Sequence, residues 1–262
     1  MLNIMFFIVA VFLLLCLFLY IQQDKLIFIP RPIDRDVYNS FKENEIEIGS
    51  SGQKLHGWRI PLKNQHNKVI IYFGGNAEDV VFMNYEAQRF NAQELYAVNY
   101  PGYGKSEGSP SQISLYENAL SIYDYITKYN GVKSENIIII GRSLGSSVAS
   151  YLAAQRDAAA LILITPFDSM QNVASNHYRF FPVSILLKHK FPTIDYIVKV
   201  QYPILILAAE KDEVIAQKNL HNLHASVEED AHLIQYKGHG HNNIQSHGRY
   251  YSDINNFIDS LE

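Results

Sequence analysis

The most one-sided stretch of the chain is its first. From Ile4 to Ile21, eighteen consecutive residues are apolar, and no Lys, Arg, Asp or Glu occurs before Asp24. As a helix this run would reach about 27 Å, close to the hydrocarbon thickness of a bilayer. A helix apolar on every face finds little core to cover it at a chain end, so residues 1–21 are predicted to be a transmembrane anchor. No basic residue precedes the run, and no small-residue pair follows it at Tyr20-Ile21-Gln22-Gln23, which argues against a cleaved signal peptide. Cys16 stands between leucine-rich triplets and lacks the setting of a lipid-attachment site. Lys25, Arg31 and Arg35 follow the run, so the positive-inside rule puts the rest of the chain on the cytoplasmic side.

Beyond the run the pattern changes twice. Residues 22–44 read as a connector in which Leu26-Ile27-Phe28-Ile29 either lies at the membrane surface or packs on the domain. Glu45 to Ile48 alternates like a strand, Gly49-Ser50-Ser51-Gly52 reads as a hairpin turn, and Leu55 to Ile60 returns as a second strand. From Lys68 onward, strands alternate with helices. Strands are predicted at 68–73, 95–99, 137–140, 161–164, 204–208 and 233–236, with helices at 78–90, 111–129 and 145–155. Continuous Ile/Leu runs between helices predict an α/β domain over 45–262, with a mostly parallel central sheet covered by helices on both faces. Residues 168–200 interrupt this rhythm with Pro182, Pro192 and several aromatics, and are expected to form a small helical lid.

Composition narrows the function. The chain has 262 residues, 22 Lys+Arg against 26 Asp+Glu and a net charge of −4, which speaks against a general nucleic-acid binder. Its single cysteine excludes an intramolecular disulfide and a Cys-based zinc site. His221 and His224 lie three apart, but no matching carboxylate pattern makes them a metal site, and no cofactor is implied.

The sharpest chemical signal is Gly141-Arg142-Ser143-Leu144-Gly145. Gly-x-Ser-x-Gly alone is a weak pattern, but here an isoleucine strand ends just before it and a small-residue helix begins at once. A turn this tight would expose the Ser143 hydroxyl above the sheet edge. A serine needs a base, and in this architecture an acid and then a histidine follow in chain order. After the 204–208 strand come Glu210, Asp212 and Glu213, of which Asp212 lies where the loop turns; Asp168 is a fallback acid. After the last strand come His239 and His241, both candidates for the base. Two backbone N–H groups would hold a developing oxyanion: that of Leu144, and that of Asn76 in the loop Gly74-Gly75-Asn76-Ala77. The aromatics Tyr178, Phe180, Phe181 and Phe191 are read first as ordinary packing rather than as an acyl pocket.

With these residues in view, the chain resembles the α/β-hydrolases, and within them the membrane-anchored serine hydrolases of the Bem46-like group, related to protein depalmitoylases. The resemblance covers nearly the whole chain. It rests on the N-terminal span, Leu26-Ile27-Phe28-Ile29-Pro30, Gly75-Asn76-Ala77, the loop from Asn99 to Gly108, Gly-x-Ser-x-Gly and Gly240-His241-Asn242. The last match favours His241 over His239. Two departures stand out: Gly74 replaces the family's usual His and Pro101 its usual Arg. The first leaves the backbone donors available.

The resemblance implies an α/β-hydrolase fold and a Ser143–His241–Asp212 triad. The expected activity is cleavage of an ester or thioester, on an acyl lipid or acylated protein at the membrane. Such leaving groups ask less of the acid step than an amide does. A serine peptidase or amidase of the same fold, and an inactive hydrolase fold serving as a membrane-bound binding module, are the alternatives.

Overall fold

Four isoleucines in succession, Ile137 to Ile140, are all fully buried. Neighbouring strand residues point to opposite faces, so such a run requires a core on both sides of its sheet. Two cores are present: Ile137 and Ile139 belong to one, Ile138 and Ile140 to the other. The computed structural model describes residues 2–63, 66–227 and 229–261. Met1 and Glu262, the outer limits of the expected anchor and hydrolase domain, lie outside them.

The elements follow in chain order. Helix α1 (Leu2–Ile27) and the short α2 (Arg35–Ser40) precede the hairpin of β1 (Glu45–Ser50) and β2 (Gln53–Pro61). Its two-residue turn, Ser51-Gly52, takes positive φ at both positions, as the twist of a tight hairpin demands. Then come β3 (Val69–Phe73), α3 (Met83–Glu86), β4 (Glu94–Val98), α4 (Gln112–Asp124), β5 (Ile137–Arg142), α5 (Leu144–Ala153) and β6 (Ala160–Ile164). Three short helices fill the interruption: α6 (Met170–His177), α7 (Val183–Leu186) and α8 (Thr193–Ile197). The chain closes with β7 (Ile204–Ala209), α9 (Gln217–Ala225), β8 (Ala231–Tyr236) and α10 (Tyr250–Asp259).

The strands form one eight-stranded sheet in the order β1-β2-β4-β3-β5-β6-β7-β8. β1, β2 and β4 pair antiparallel, and every pairing from β4 to β8 is parallel. The chain leaves β3 toward β4 on one side and crosses back to β5 on the other. Ligand sites form at the carboxyl edge of such a reversal. The loops after β3, β5, β7 and β8 all emerge on that edge.

Two helices differ from expectation. The segment predicted as a helix over 78–90 holds only α3 between 3₁₀ turns at Val80–Phe82 and Ala87–Arg89. Side chains compete there with the helical ladder: Asp79 accepts from the Val81 N–H, and the Asn84 amide donates to the Val81 carbonyl. The helix predicted over 111–129 is regular to Asp124 and widens into a π-helical turn at Tyr125–Tyr129. α1 is long and apolar enough to cross a membrane and runs past the apolar stretch to Ile27. Most of it is exposed; Cys16, Gln23 and Ile27 are its buried residues.

Candidate active site

Ser143 sits between β5 and α5 with φ 51° and ψ −116°, a conformation costly for any residue with a side chain. The flanking glycines make it attainable. A Cβ on Gly145 would lie 2.1 Å from the Phe73 carbonyl oxygen, and one on Gly141 would lie 2.3 Å from that of Gly145. Only residues without side chains let α5 leave the sheet so abruptly.

The turn aims the Ser143 hydroxyl at His241, whose Nε2 is 2.9 Å from Ser143 Oγ. His241 Nδ1 is 2.8 Å from Asp212 Oδ2, and both side chains are about 5% exposed. A carboxylate only accepts, so the proton of a neutral His241 belongs on Nδ1, which leaves Nε2 free to take one from Ser143. Asp212 is itself fixed: its Oδ1 accepts from the N–H groups of Val214, at 2.9 Å, and Ile215, at 2.7 Å. Glu213 accepts from the His241 backbone N–H at 3.0 Å and so holds the β8 loop.

The remaining candidates lie elsewhere in the hydrogen-bond network. The His239 ring contacts the Lys237 carbonyl oxygen and stacks edge-on against His247. Glu210 accepts from the Gly238 N–H. Asp168 is 1% exposed, and its carboxylate takes bonds from the side chains of Asn172, Asn219 and Asn222 and from the Ser169 N–H. That is a structural hub tying α6 to α9.

Leu144 is the first residue of α5, so its N–H has no acceptor inside the helix. Asn76, Ser143 and Leu144 line one cavity together. The loop bearing Asn76 is held on three sides. Glu78 is the residue that sequence reasoning missed. Its N–H donates to the Gly75 carbonyl, the acceptor of the same peptide plane that carries the Asn76 N–H. Its carboxylate accepts from the Gly75 N–H and the Tyr72 hydroxyl, with Arg142 3.5 Å away. Tyr100 donates to the Gly74 carbonyl, and Tyr103 donates to that of Asn76. Burial pushes the Tyr72 and Tyr100 hydroxyls well above their ordinary pKa, so both remain neutral donors. Burial also works against the Arg142 charge, but Tyr72 and Glu78 beside it outweigh burial and raise its pKa. The only sequence signal for Glu78 was a carboxylate three residues beyond Gly75. At Gly74 a Cβ would approach Val80 and Glu78 to 3.0 and 3.2 Å, so the glycine suits a loop packed this closely.

The third hold comes from the connector: the Ile29 N–H donates to the Asn76 carbonyl at 3.0 Å, and Arg31 Nε donates to that of Ala77. The cavity itself, about 340 Å³, is mostly apolar and is lined by Ser143, by α6 and α7 and by the last turns of α1. Tyr178 and Phe181 line it, whereas Phe191 is core and Phe180 is exposed. Chemically, the arrangement can deprotonate a serine hydroxyl beside two backbone donors and an apolar chamber.

A strand-to-helix turn carrying a serine, with an acid and then a histidine on later loops of the same sheet edge, defines an α/β-hydrolase. The chain belongs to the α/β-hydrolase family of serine hydrolases: a family model described as serine aminopeptidase, S33, matches residues 64–196. An uncharacterized protein of Mycobacterium tuberculosis is 30% identical over 233 residues, covering 86% of this chain and 83% of that one. Human alpha/beta hydrolase domain-containing protein 17B is 28% identical over 84% of this chain and 78% of its own. The crystal structure of an alpha-beta hydrolase from Vibrio vulnificus superimposes with a TM-score of 0.74 at 20% identity, covering 92% of each chain.

Proposed function

We propose that this hydrolase is membrane-anchored and cleaves carboxylic esters or thioesters through an acyl-enzyme on Ser143. The observation that carries the reading is the continuous Ser143–His241–Asp212 chain, at 2.9 and 2.8 Å, on a serine with φ 51°. Ser143 Oγ attacks the carbonyl carbon while His241 Nε2 takes its proton, and Asp212 steadies the imidazolium. The carbonyl oxygen becomes an oxyanion between the N–H groups of Leu144 and Asn76. Collapse expels the alcohol or thiol, protonated by His241. Water, deprotonated by the same imidazole, then attacks the acyl carbon, and the carboxylic acid leaves with Ser143 restored.

The family model's description as a serine aminopeptidase favours a second reading, in which the substrate is a peptide. A free α-amino group would call for a carboxylate in the pocket, and the cavity lining holds none among the described residues. Its apolar walls suit an acyl chain.

A retained anchor is supported by the tail of α1. A helix destined for removal would not need Gln23, which is 5% exposed and bonded to the backbone at Leu186 and Lys188. Lys25, Arg31 and Arg35 follow the span and favour a cytoplasmic hydrolase domain. Labelling of the full chain with a fluorophosphonate probe tests the reading. Wild type is expected to label, and Ser143→Ala to lose both label and hydrolysis. An unlabelled wild type, or equal labelling of Ser143→Ala, would overturn it and favour a non-catalytic binding role.

A further inference from the structure

The site's cavity has a wall that hydrolytic chemistry does not require. Leu19, Gln23, Leu26 and Ile27 of α1 line the same chamber as Ser143. Leu19 falls within the Ile4–Ile21 apolar run itself, so the chamber reaches the level at which the helix becomes wholly apolar.

α1 is fastened there to the short helices over the sheet edge. Gln23 donates to the Leu186 carbonyl at 3.0 Å and accepts from the Lys188 N–H at 2.7 Å, and Asp24 pairs with His189 at 2.9 Å. Lys188 also lies 4.4 Å from the centre of the Tyr20 ring. Farther up, Phe181 in the α6–α7 connection stacks on Phe12 with ring centroids 5.7 Å apart. Phe12 precedes Ile21 by about 14 Å of helix, at 1.5 Å per residue. A bilayer that covers the apolar run therefore also covers Phe181. Phe180, next to it, is 90% exposed, and Ile185 on α7 is 80% exposed. Large apolar side chains this exposed, continuous with an apolar helix, form a surface suited to lipid.

We propose that the α6–α7 tip is immersed in the bilayer beside α1, and that the cavity opens sideways between them to receive an acyl chain directly from the membrane. α1 is then one wall of the substrate site as well as an anchor. The proposal rests on the serine-hydrolase reading above and adds where the acyl chain comes from. An acyl chain arriving this way passes from lipid to an apolar chamber without crossing water, so the apolar area it buries is never exposed.

The test uses the full chain in phosphatidylcholine vesicles, with 4-methylumbelliferyl palmitate and 4-methylumbelliferyl butyrate as probes that share a leaving group. Leu19→Trp, which fills the α1 end of the chamber, is expected to lower the palmitate-to-butyrate rate ratio at least tenfold. Leu14→Trp, on an exposed part of α1, is expected to change neither rate. An unchanged ratio in Leu19→Trp overturns the proposal, as does a wild type that cleaves butyrate but not palmitate. A wild type that cleaves neither and resists fluorophosphonate overturns the serine-hydrolase reading instead. A second measurement stands apart from turnover. The chain's single tryptophan, Trp58, is fully buried. The indole introduced by Phe180→Trp should therefore report alone on lipid contact. Brominated lipids are expected to quench it; fluorescence indifferent to bromination would show the tip to be in water.

Discussion

At Ser143 the backbone is strained to present an oxygen, and everything around it resists relaxation. Its N–H donates to Ile164 and its carbonyl accepts from Ser146, so the strained residue is held from both sides. The acid is where competing residues separate most cleanly. Asp212 bonds the imidazole, whereas Asp168 is saturated by amide donors. Asp212→Asn is expected to reduce kcat by about 10⁴, because an amide steadies the wrong tautomer of His241. Asp168→Asn is expected to keep normal turnover and to lower unfolding stability by about 2 kcal/mol, since an amide there faces donors it cannot accept from fully. Paired steady-state kinetics and urea denaturation read both; the reverse pattern would exchange the two assignments. Ser143, Asp212 and His241 were legible as candidates because chain order and strand ends put them on one sheet edge. Glu78 was not, because its part depends on side chains folding back across a loop whose shape no periodicity encodes.

Among the elements, the junction of β5 and α5 is the least tolerant. Gly145→Ala would drive a methyl into the carbonyls of Phe73 and Gly74, at 2.1 and 2.6 Å, and push α5 from β3. It is expected to lose at least 2 kcal/mol, a fall of about 4–8 °C in Tm for a domain this size. Gly49→Ala, where nothing lies within 4 Å of the added methyl, should leave Tm nearly unchanged. Equal Tm values for the two variants, measured by scanning calorimetry, would refute this view of the turn.

β2 carries a different liability. His56 is 4% exposed, stacked on Tyr38 and edge-on to Trp58. Burial lowers its pKa below the ordinary histidine value, although Glu45, 3.6 Å away, pulls the other way; Lys105 and Asp79 are the other charged groups acting on it. The unfolded chain therefore takes up a proton at about pH 6.5, and the folded chain only at lower pH. Stability is intact above that point and falls as pH drops below it. His56→Phe is expected to flatten the decline in Tm between about pH 7 and pH 5; an unchanged slope would remove His56 from the explanation. The strands were legible because both-face burial writes itself as unbroken Ile and Leu. The helix expected over 78–90 was not recoverable, since Asp79 and Asn84 give the backbone local partners that outcompete the ladder.

Taken together, the molecule joins an apolar helix to the chamber beside Ser143 more intimately than hydrophobicity reveals. A helix apolar on all sides shows no preferred face, so the stripe of Phe12, Cys16, Leu19, Gln23 and Ile27 that meets the domain was not read from the sequence. For the connector the sequence left two readings open, the membrane surface or packing on the domain; Phe28 is buried, and the Ile29 N–H fastens the loop that bears Asn76. The helix end, the connector and the loop thus form one bonded path from the apolar span to the proposed oxyanion site.

That path matters only if Ser143 carries an acyl group during turnover. The direct measurement is a rapid-quench reaction of the full chain with a 4-methylumbelliferyl ester, followed by mass analysis of the proteolysed protein. The reading requires acyl mass on the peptide bearing Ser143, forming no more slowly than steady-state turnover and absent in Ser143→Ala. Acyl mass on a different residue, or persistent turnover by Ser143→Ala, would contradict it.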